Sequence, residues 1–264
     1  MSRTVDILSR TVLLPLLAAQ GLHVRRKALI LPEAEGPRAG IDGTGPDLHL
    51  LVLGDSSAAG VGVARQQDAL SGQLAAALNP HFRLHWRLEA RTGETTRSTL
   101  ARMRDIRPMR TDAVVLALGV NDTTRLAAPG GWLRRQQALY DLLRRDCGAQ
   151  QIYVTAVPPL GQFPLLPQPL RWVLGRHARG LDLHLQRLLA DQPDCTHISL
   201  NLPPDPALMA DDGFHPGARV YRHWARLVAT RIRQDFAPSA GTNTVGGSHL
   251  QSPDASAQSP DAPE

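Results

Sequence analysis

A short apolar run that ends at a glycine constrains the fold of this chain more than any other stretch. Residues 50–53 are all leucine or valine, and Gly54 ends the run. Four apolar residues without polar alternation are too few for a helix and predict a strand buried on both faces. Ser56 then stands before a helix-compatible segment, residues 64–78. A serine at such a junction lies above the sheet edge, near the free N–H groups of a helix start, where a nucleophile would be well placed.

The same junction also permits purely structural interpretations. Asp55, Ser56 and Ser57 are residue types that commonly cap helices. The glycine-rich turn matches neither the dinucleotide-binding pattern nor the phosphate-binding loop. It also differs from the usual nucleophile elbow of α/β-hydrolases, because Ala58 stands where that pattern requires glycine. The stretch therefore predicts a catalytic serine only if suitable partners lie elsewhere in the chain.

Short strands and helices alternate along the chain. The predicted strands are residues 49–53, 83–89, 113–118, 151–157 and 197–200. The predicted helices are residues 64–78, 97–103, 132–145, 170–189 and 218–236. This alternation predicts an α/β fold with a five-stranded, mostly parallel sheet and helices on both faces. Sites in such sheets form outside the carboxyl ends of the strands.

Composition limits the classes of partner. The chain has 264 residues, of which 42% are hydrophobic and 20% charged, as in soluble globular proteins. The net charge is +5, and the 29 basic residues are one lysine, Lys27, and 28 scattered arginines. Scattered charge with few aromatic residues argues against a nucleic-acid partner.

The amino-terminal region, residues 1–47, is predicted to precede the main domain. Its apolar stretch, residues 11–22, is too short to span a bilayer and is interrupted by Pro15. A packed or interfacial amphipathic helix is favoured, with peripheral membrane contact and a cytoplasmic or membrane-peripheral location. The alternative is a cleaved signal peptide and export. Residues 28–47, rich in proline and glycine, are expected to form an irregular connector.

The main domain is predicted to span residues 48–236. From residue 237 to 264 the chain is rich in Ser, Ala, Pro, Gly and Asp and has no periodicity. A segment of this composition cannot bury enough apolar surface to fold, so a disordered tail is expected.

Three further polar clusters follow predicted strands or precede the last helix. They are centred on Gly93, on Asn121, and on Asp212 with His215. Singly, each can be a turn or a helix cap. Together with Ser56 they supply a nucleophile, a base with a carboxylate three residues away, and donors for an oxyanion, all at one edge of the predicted sheet. Coincidence is then the weaker explanation.

Four short blocks resemble, in order and spacing, those of the SGNH/GDSL hydrolase family: Gly54-Asp55-Ser56, Gly93, Gly119-Val120-Asn121-Asp122 and Asp212-Gly213-Phe214-His215. The resemblance covers residues 48–235. One departure is that Ser57 replaces leucine after Gly-Asp-Ser, which is common in the esterase branches of the family. The resemblance implies a flavodoxin-like three-layer α/β/α sandwich with strand order 2-1-3-4-5. It also implies a hydrolase of carboxylic esters that needs no cofactor and no metal.

The resemblance and the chemistry of ester cleavage assign the same roles. The Ser56 hydroxyl attacks the ester carbonyl, and His215 takes its proton and later returns it to the leaving alcohol. Asp212 binds the other ring nitrogen of His215, which fixes the tautomer and stabilises the transient imidazolium. The expected oxyanion hole consists of the Ser56 N–H, the Gly93 N–H and the Asn121 side-chain amide.

Other polar residues receive structural interpretations. Asp55 and Asp122 are expected to accept backbone N–H groups in their turns, without a chemical role. Cys147 and Cys195 are too few for a metal site or a disulfide framework, so two reduced thiols are favoured over a pair. Among the histidines outside the proposed triad, six show no metal-ligand spacing: His49, His81, His177, His184, His197 and His223.

The motifs do not choose among the activities of the family. The resemblance implies a small-molecule ester or lipid substrate, as for its lysophospholipases, arylesterases, thioesterases and carbohydrate acetylesterases. Residues 158–170, rich in proline and apolar side chains, are expected either to wall an acyl pocket or to pack as an irregular loop. Three alternatives stay open: an acyltransferase or a thioesterase on the same triad, and a non-catalytic α/β binding domain.

Overall fold

The computed structural model describes residues 3–106 and 110–237, with residues 3–13 described by their backbone alone. The tail predicted to be disordered lies outside these ranges from residue 238 onward. Within them the helices are α1 (Arg3–Lys27), α2 (Leu70–Leu78), α3 (Thr96–Asp105), α4 (Val120–Thr124), α5 (Pro129–Cys147), α6 (Leu170–Ala190) and α7 (Ala218–Asp235). The strands are β1 (Ala39–Asp42), β2 (Asp47–Gly54), β3 (Arg83–Ala90), β4 (Ala113–Ala117), β5 (Gln151–Thr155) and β6 (Cys195–Ile198).

The strands form one sheet in the order β1-β3-β2-β4-β5-β6. Strands β2 to β6 are parallel to one another, and they correspond to the five predicted strands. When these five strands are numbered along the chain, their order in the sheet is 2-1-3-4-5, as the family resemblance implied. The predicted α/β fold and its strand order are confirmed.

The predicted number of strands is wrong by one, because β1 adds an antiparallel edge strand. It lies in the segment predicted to be an irregular connector, and it pairs with β3 from Ala39 opposite Arg87 to Asp42 opposite Leu84. Three of its four residues are exposed. No apolar alternation therefore marks it in the sequence, and only its backbone pairing with β3 makes it a strand.

The sheet is covered on both faces, which explains the continuous apolar run in β2. Leu51 and Leu53 point into a core shared with α3, α5 and α6. Leu50 and Val52 point to the opposite side, into a core shared with α2 and α7. Successive side chains of a strand alternate between faces, so a strand between two helical layers must be apolar throughout.

The helix predicted at residues 64–78 begins later, at Leu70. Arg65 and Ala69 have extended backbones, with ψ values of 146° and 175°, which exclude an α-helix before Leu70. Closer to Ser56, Gly60 and Gly62 have φ values of +87° and +106°, which a helix does not accommodate. Residues 56–62 form turns instead, and a short 3₁₀ helix, Gln66–Asp68, precedes α2. The expectation that the free N–H groups of a helix start surround Ser56 is therefore wrong.

Helix α1 packs against α6. The Gln20 side chain donates to the Gln168 carbonyl oxygen at 2.6 Å and accepts the Leu170 N–H at 3.1 Å. Leu17 is buried, whereas Leu14, Leu16 and Leu22 on other faces of α1 are exposed. In the described part of the chain, no helix combines the length and the apolar character needed to cross a bilayer.

Cys147 and Cys195 are buried thiols and form no disulfide, as predicted. Burial raises the pKa of the Cys195 thiol to about 12. This sulfur therefore stays protonated and unreactive at neutral pH.

Candidate active site

Ser56 lies directly after β2, on a turn that a glycine makes possible. A Cβ on Gly54 would stand 2.4 Å from the carbonyl oxygen of Ala117 and 2.7 Å from the Cβ of Ala58. The Asp55 N–H donates to that same carbonyl oxygen at 3.1 Å. The chain thus leaves the sheet tightly beside β4, and Ser56 lies at the carboxyl end of the strands with 9% of its surface exposed.

Asp212 and His215 are held by a tight loop before α7. The Oδ1 atom of Asp212 accepts the backbone N–H groups of Phe214 and His215, both at 2.9 Å. Its other oxygen, Oδ2, lies 2.5 Å from Nδ1 of His215. A single carboxylate therefore shapes the loop with one oxygen and orients the imidazole with the other.

The environment of Asp212 favours its charged form. Burial raises the pKa of this carboxyl, but the hydrogen bonds from the His215 ring and from the two backbone N–H groups outweigh burial and leave the pKa below its ordinary value. Asp212 is therefore ionised at neutral pH, and a carboxylate beside an imidazole stabilises the imidazolium form.

The structure brings the three predicted triad residues together. The Nε2 atom of His215 lies 2.9 Å from the Oγ atom of Ser56, although the two residues are 159 positions apart. Ser56, His215 and Asp212 form one continuous hydrogen-bonded chain. The 2.9 Å between Nε2 and Oγ is within the range needed for proton transfer from the serine to the histidine.

Of the other predicted oxyanion donors, Gly93 lies on a loop and Asn121 in the short helix α4. Gly93 has a φ of +81°, which side chains rarely adopt. Asn121, in α4, donates through Nδ2 to the carbonyl oxygen of Glu94 at 2.9 Å, and Nδ2 lies 3.4 Å from Oδ2 of Asp55. An amide has two N–H groups, and the contact to Asp55 is long for a hydrogen bond. The second N–H of Asn121 is therefore held only weakly, by Asp55.

Glu94 is a neighbour of the site that no motif predicts. Its buried carboxylate accepts two N–H groups of Arg102, at 2.7 and 2.8 Å, and the Thr99 hydroxyl at 2.9 Å. These bonds hold the residue whose carbonyl oxygen binds the Asn121 amide. Its only signal in the sequence is an acid next to Gly93 with an arginine eight positions later.

Asp55 and Asp122 accept backbone N–H groups, as predicted. Asp55 accepts the N–H and the hydroxyl of Ser57 at 2.9 and 2.8 Å, within its own turn. Asp122 accepts the N–H and the hydroxyl of Thr96 at 3.0 and 2.9 Å. It therefore ties α4 to the start of α3 rather than organising its own turn.

Asp55 is unfavourable to stability when it is charged. Burial raises the pKa of its carboxyl from 3.8 to about 6, despite the hydrogen bonds from Ser57. When the pKa of a carboxyl is higher in the folded state than in the unfolded state, its protonated form stabilises the fold. This stabilisation is complete at pH values below the unfolded-state pKa, and it is lost as the pH rises through the folded-state pKa. At neutral pH the ionisation of Asp55 therefore costs the folded state about 3 kcal/mol.

We therefore expect Asp55→Asn to change the pH dependence of stability. The amide oxygen of asparagine can still accept from Ser57, but it does not ionise. Relative to the wild type, the free energy of unfolding of this variant should rise by about 2 kcal/mol between pH 4 and pH 8. Urea unfolding at several pH values measures this difference, with the exposed Asp211→Asn as control. Parallel pH curves for Asp55→Asn and the wild type would contradict the burial argument.

A cavity of about 690 Å³ opens at Ser56 and His215. Residues 158–159 and 161–164 form part of its wall, so this segment lines the site and does not merely pack as a loop. Gly93 and Asn121 do not line the cavity, and their connection to the site runs through Asp55 and Glu94. The walls are mostly apolar and include Leu118, Pro158, Phe163, Pro164, Trp172, Leu202, Met209 and Phe214.

Other histidines pair with carboxylates outside the triad. His49 pairs with Asp112 and His197 with Asp182, both at 3.0 Å. Among the described residues, no group of three His, Cys, Asp or Glu side chains is arranged to hold a metal ion.

Comparison with known proteins identifies the family. The model of the GDSL-like Lipase/Acylhydrolase family matches residues 52–223, which include the Ser56 turn and the loop at residues 212–215. The chain belongs to this family. A GDSL-like esterase of Mycobacterium tuberculosis is 30% identical over 201 residues, which cover 71% of this chain and 62% of that relative. The match thus spans less than two thirds of the relative's length.

Solved structures of esterases have the same fold. The native M. smegmatis aryl esterase superposes with a TM-score of 0.54 at 18% identity, covering 71% of this chain and 99% of that one. For the esterase EstA from Pseudoalteromonas sp. the TM-score is 0.54 at 17% identity, with 70% and 97% covered. A carbohydrate acetylesterase family member from Sinorhizobium meliloti gives 0.52 at 22% identity, with 71% and 98% covered. At these identities the comparison establishes the fold of the family.

Proposed function

We propose that this protein is a serine hydrolase that cleaves carboxylic esters through an acyl-enzyme, without a cofactor. The observation that carries the proposal is the hydrogen-bonded chain from Ser56 through His215 to Asp212 at the mouth of a mostly apolar cavity. A serine hydroxyl is a weak nucleophile at neutral pH, and a histidine that accepts its proton overcomes this weakness. Membership of the GDSL-like Lipase/Acylhydrolase family supports the same reaction class.

In the first half-reaction, the Ser56 oxygen attacks the ester carbonyl while Nε2 of His215 takes the hydroxyl proton. Asp212 stabilises the imidazolium that results. The tetrahedral intermediate collapses, and His215 gives the proton to the leaving alcohol. In the second half-reaction, His215 takes a proton from water, the water oxygen attacks the acyl-serine, and the acid is released as Ser56 recovers its proton.

The oxyanion of both intermediates is assigned to the Ser56 N–H, the Gly93 N–H and the Asn121 amide. In this scheme, Nδ2 of Asn121 keeps its bond to the Glu94 carbonyl, and its second N–H, held only by the long contact to Asp55, donates to the oxyanion. Donors that are oriented before the reaction need little rearrangement as charge develops, which is why such groups contribute strongly to catalysis.

The cavity favours an ester with an apolar acyl group or a lipid. Its volume of about 690 Å³ is within the range of small-molecule sites, and its walls carry several aromatic, leucine and proline side chains. The triad itself serves equally for a thioester, or for acyl transfer if an alcohol replaces water in the second half-reaction. Hydrolysis of oxygen esters is the activity we propose first.

A substrate panel with an active-site probe tests this function. We expect hydrolysis of p-nitrophenyl esters over a range of acyl lengths, and labelling of one residue, Ser56, by a fluorophosphonate. Lysophospholipids, acyl thioesters and acetylated sugars in the same panel narrow the substrate class. Product analysis with a competing alcohol distinguishes an acyltransferase from a hydrolase. A protein that neither turns over any of these substrates nor reacts with the probe would be a binding domain instead.

We further propose that the α1 region contacts an anionic membrane surface. Leu22, Leu29 and Ile30 are exposed, Ile30 to 90%, and the last turn of α1 is basic through Arg25, Arg26 and Lys27. Apolar side chains beside a basic cluster suit an anionic lipid surface. This region adjoins the cavity, because Gln20 binds Gln168, which lines it.

Sedimentation with lipid vesicles tests this contact. We expect the wild type to bind vesicles that contain phosphatidylglycerol and to be released by high salt. Ile30→Glu should weaken binding by about tenfold, since it places an anion at the surface. Ile41→Glu changes an isoleucine that is also exposed but lies on β1, and it should bind like the wild type. Equal binding by all three proteins would contradict the assigned surface.

A further inference from the structure

A segment that precedes the region matched by the family forms hydrogen bonds with two loops of the site. Residues 33–38, here called the strap, precede β1 and lie outside residues 52–223 that match the family. The strap lies between the turn that carries Ser56 and the loop that carries Gly93. It makes hydrogen bonds to both.

On one side, the strap forms hydrogen bonds with the segment that follows Ser56. The Ala34 N–H donates to the carbonyl oxygen of Ala59 at 3.3 Å, and the Glu35 N–H donates to that of Ala64 at 2.9 Å. The buried Gln66 amide donates to the carbonyl oxygens of both Ala34 and Ala59, at 3.1 and 2.9 Å. The backbone next to Glu33 is thereby held against the same turn that presents the serine.

On the other side, the Glu33 side chain reaches the Gly93 loop. Its Oε1 atom accepts both the N–H and the hydroxyl of Thr92, each at 2.8 Å. Its Oε2 atom accepts from Nη1 of Arg38 at 3.0 Å, and Arg38 also donates to the carbonyl oxygen of Ala90, at the end of β3. Glu33 is thus oriented by an arginine of the strap and directed at the residue before Gly93.

The Glu33 contacts favour a charged carboxylate. Partial burial raises the pKa of its carboxyl, but the hydrogen bonds from Thr92 and Arg38 outweigh it and leave the pKa below its ordinary value. Hydrogen bonds to a carboxylate are stronger than those between neutral groups, so the Thr92 backbone is held firmly.

The position of Thr92 matters because the Thr92–Gly93 peptide carries the Gly93 N–H. Beyond this peptide the loop is also held, since Nη2 of Arg125 donates to the Gly93 carbonyl oxygen at 3.2 Å and Asn121 binds the Glu94 carbonyl. We propose that Glu33 is a positioning residue: by holding Thr92 it fixes the Thr92–Gly93 peptide, whose N–H the proposed function assigns to the oxyanion. This inference rests on the function proposed above and extends the site to a segment that the family pattern does not include.

Three variants and two measurements test the role of Glu33. Glu33→Ala removes the acceptor, Glu33→Gln keeps an acceptor oxygen without its charge, and Glu35→Ala removes an exposed side chain of the same strap. Hydrolysis of a p-nitrophenyl ester gives kcat and KM. Amide hydrogen exchange of peptides that contain Thr92 and Gly93 reports the order of the loop whether or not the protein is active.

We expect kcat of Glu33→Ala to fall by about 10- to 30-fold with KM changed less than about twofold, because the donor acts on the transition state. Glu33→Gln should recover most of this loss, to within about threefold of the wild type, and Glu35→Ala should match the wild type. Exchange at Thr92 and Gly93 should be faster in Glu33→Ala only.

Each contrary outcome has a separate meaning. Unchanged kcat and unchanged exchange in Glu33→Ala, with an active wild type, would overturn the role of Glu33 and leave the hydrolase proposal intact. Parallel losses of kcat, substrate affinity and thermal stability would also overturn it, because they indicate general destabilisation. A wild type without activity or Ser56 labelling would refute the hydrolase proposal, and the exchange measurement would still decide whether Glu33 orders the loop.

Discussion

Replacing Ser56 with alanine should lower kcat/KM for ester hydrolysis by about 10⁴- to 10⁶-fold. The variant lacks the oxygen that forms the acyl-enzyme, and His215 then has no hydroxyl proton to accept at 2.9 Å. The oxyanion donors and the cavity are left in place, so a small residual rate above the uncatalysed reaction is expected. Steady-state hydrolysis of a p-nitrophenyl ester measures the loss, and the same variant should no longer react with a fluorophosphonate.

The loss must be separated from a failure to fold. Alanine removes one oxygen from a residue that keeps its backbone bonds, including the Val61 N–H that donates to the Ser56 carbonyl oxygen at 3.0 Å. We therefore expect the thermal midpoint of Ser56→Ala to stay within a few degrees of the wild type. A folded Ser56→Ala protein that hydrolyses esters at the wild-type rate would exclude Ser56 as the nucleophile.

Replacing Asp212 with asparagine should lower kcat by about 10³- to 10⁴-fold. The asparagine oxygen can still accept the backbone N–H groups of Phe214 and His215, so the loop should keep its shape. Its NH₂ group, however, faces Nδ1 of His215 and favours the tautomer with the proton on Nε2. That nitrogen then donates to Ser56 and cannot accept its proton.

Asp211→Asn is the matched control for this variant. It makes the same chemical change one residue earlier, at an exposed side chain. We expect Asp211→Asn to keep wild-type kcat and KM, while Asp212→Asn loses kcat and keeps its thermal midpoint within a few degrees. Equal kcat values for the two variants would show that the carboxylate at 2.5 Å from His215 has no part in the reaction.

Much of the fold can be predicted from the chain itself. The apolar run of β2 predicts a strand covered on both faces, and its side chains do enter two cores. Alternation of such runs with amphipathic helices predicts the parallel sheet, and polar blocks at strand ends predict where the site lies. These features are local, because each run of residues carries its own preference for burial, turning or exposure.

The sequence therefore determined the α/β architecture, the strand order through the family resemblance, and the residues that meet at the site. Tertiary structure alone decided that β1 joins the sheet, that α2 begins at Leu70, and that Asn121 binds the Glu94 carbonyl. It also decided that Glu33 reaches Thr92, 59 positions away. The physical reason is that a hydrogen bond between distant segments depends on register and packing, which are properties of the assembled layers. The residues around Glu33 in the sequence would be the same whether its side chain bound water or the backbone of the Gly93 loop. The sequence therefore does not predict this contact.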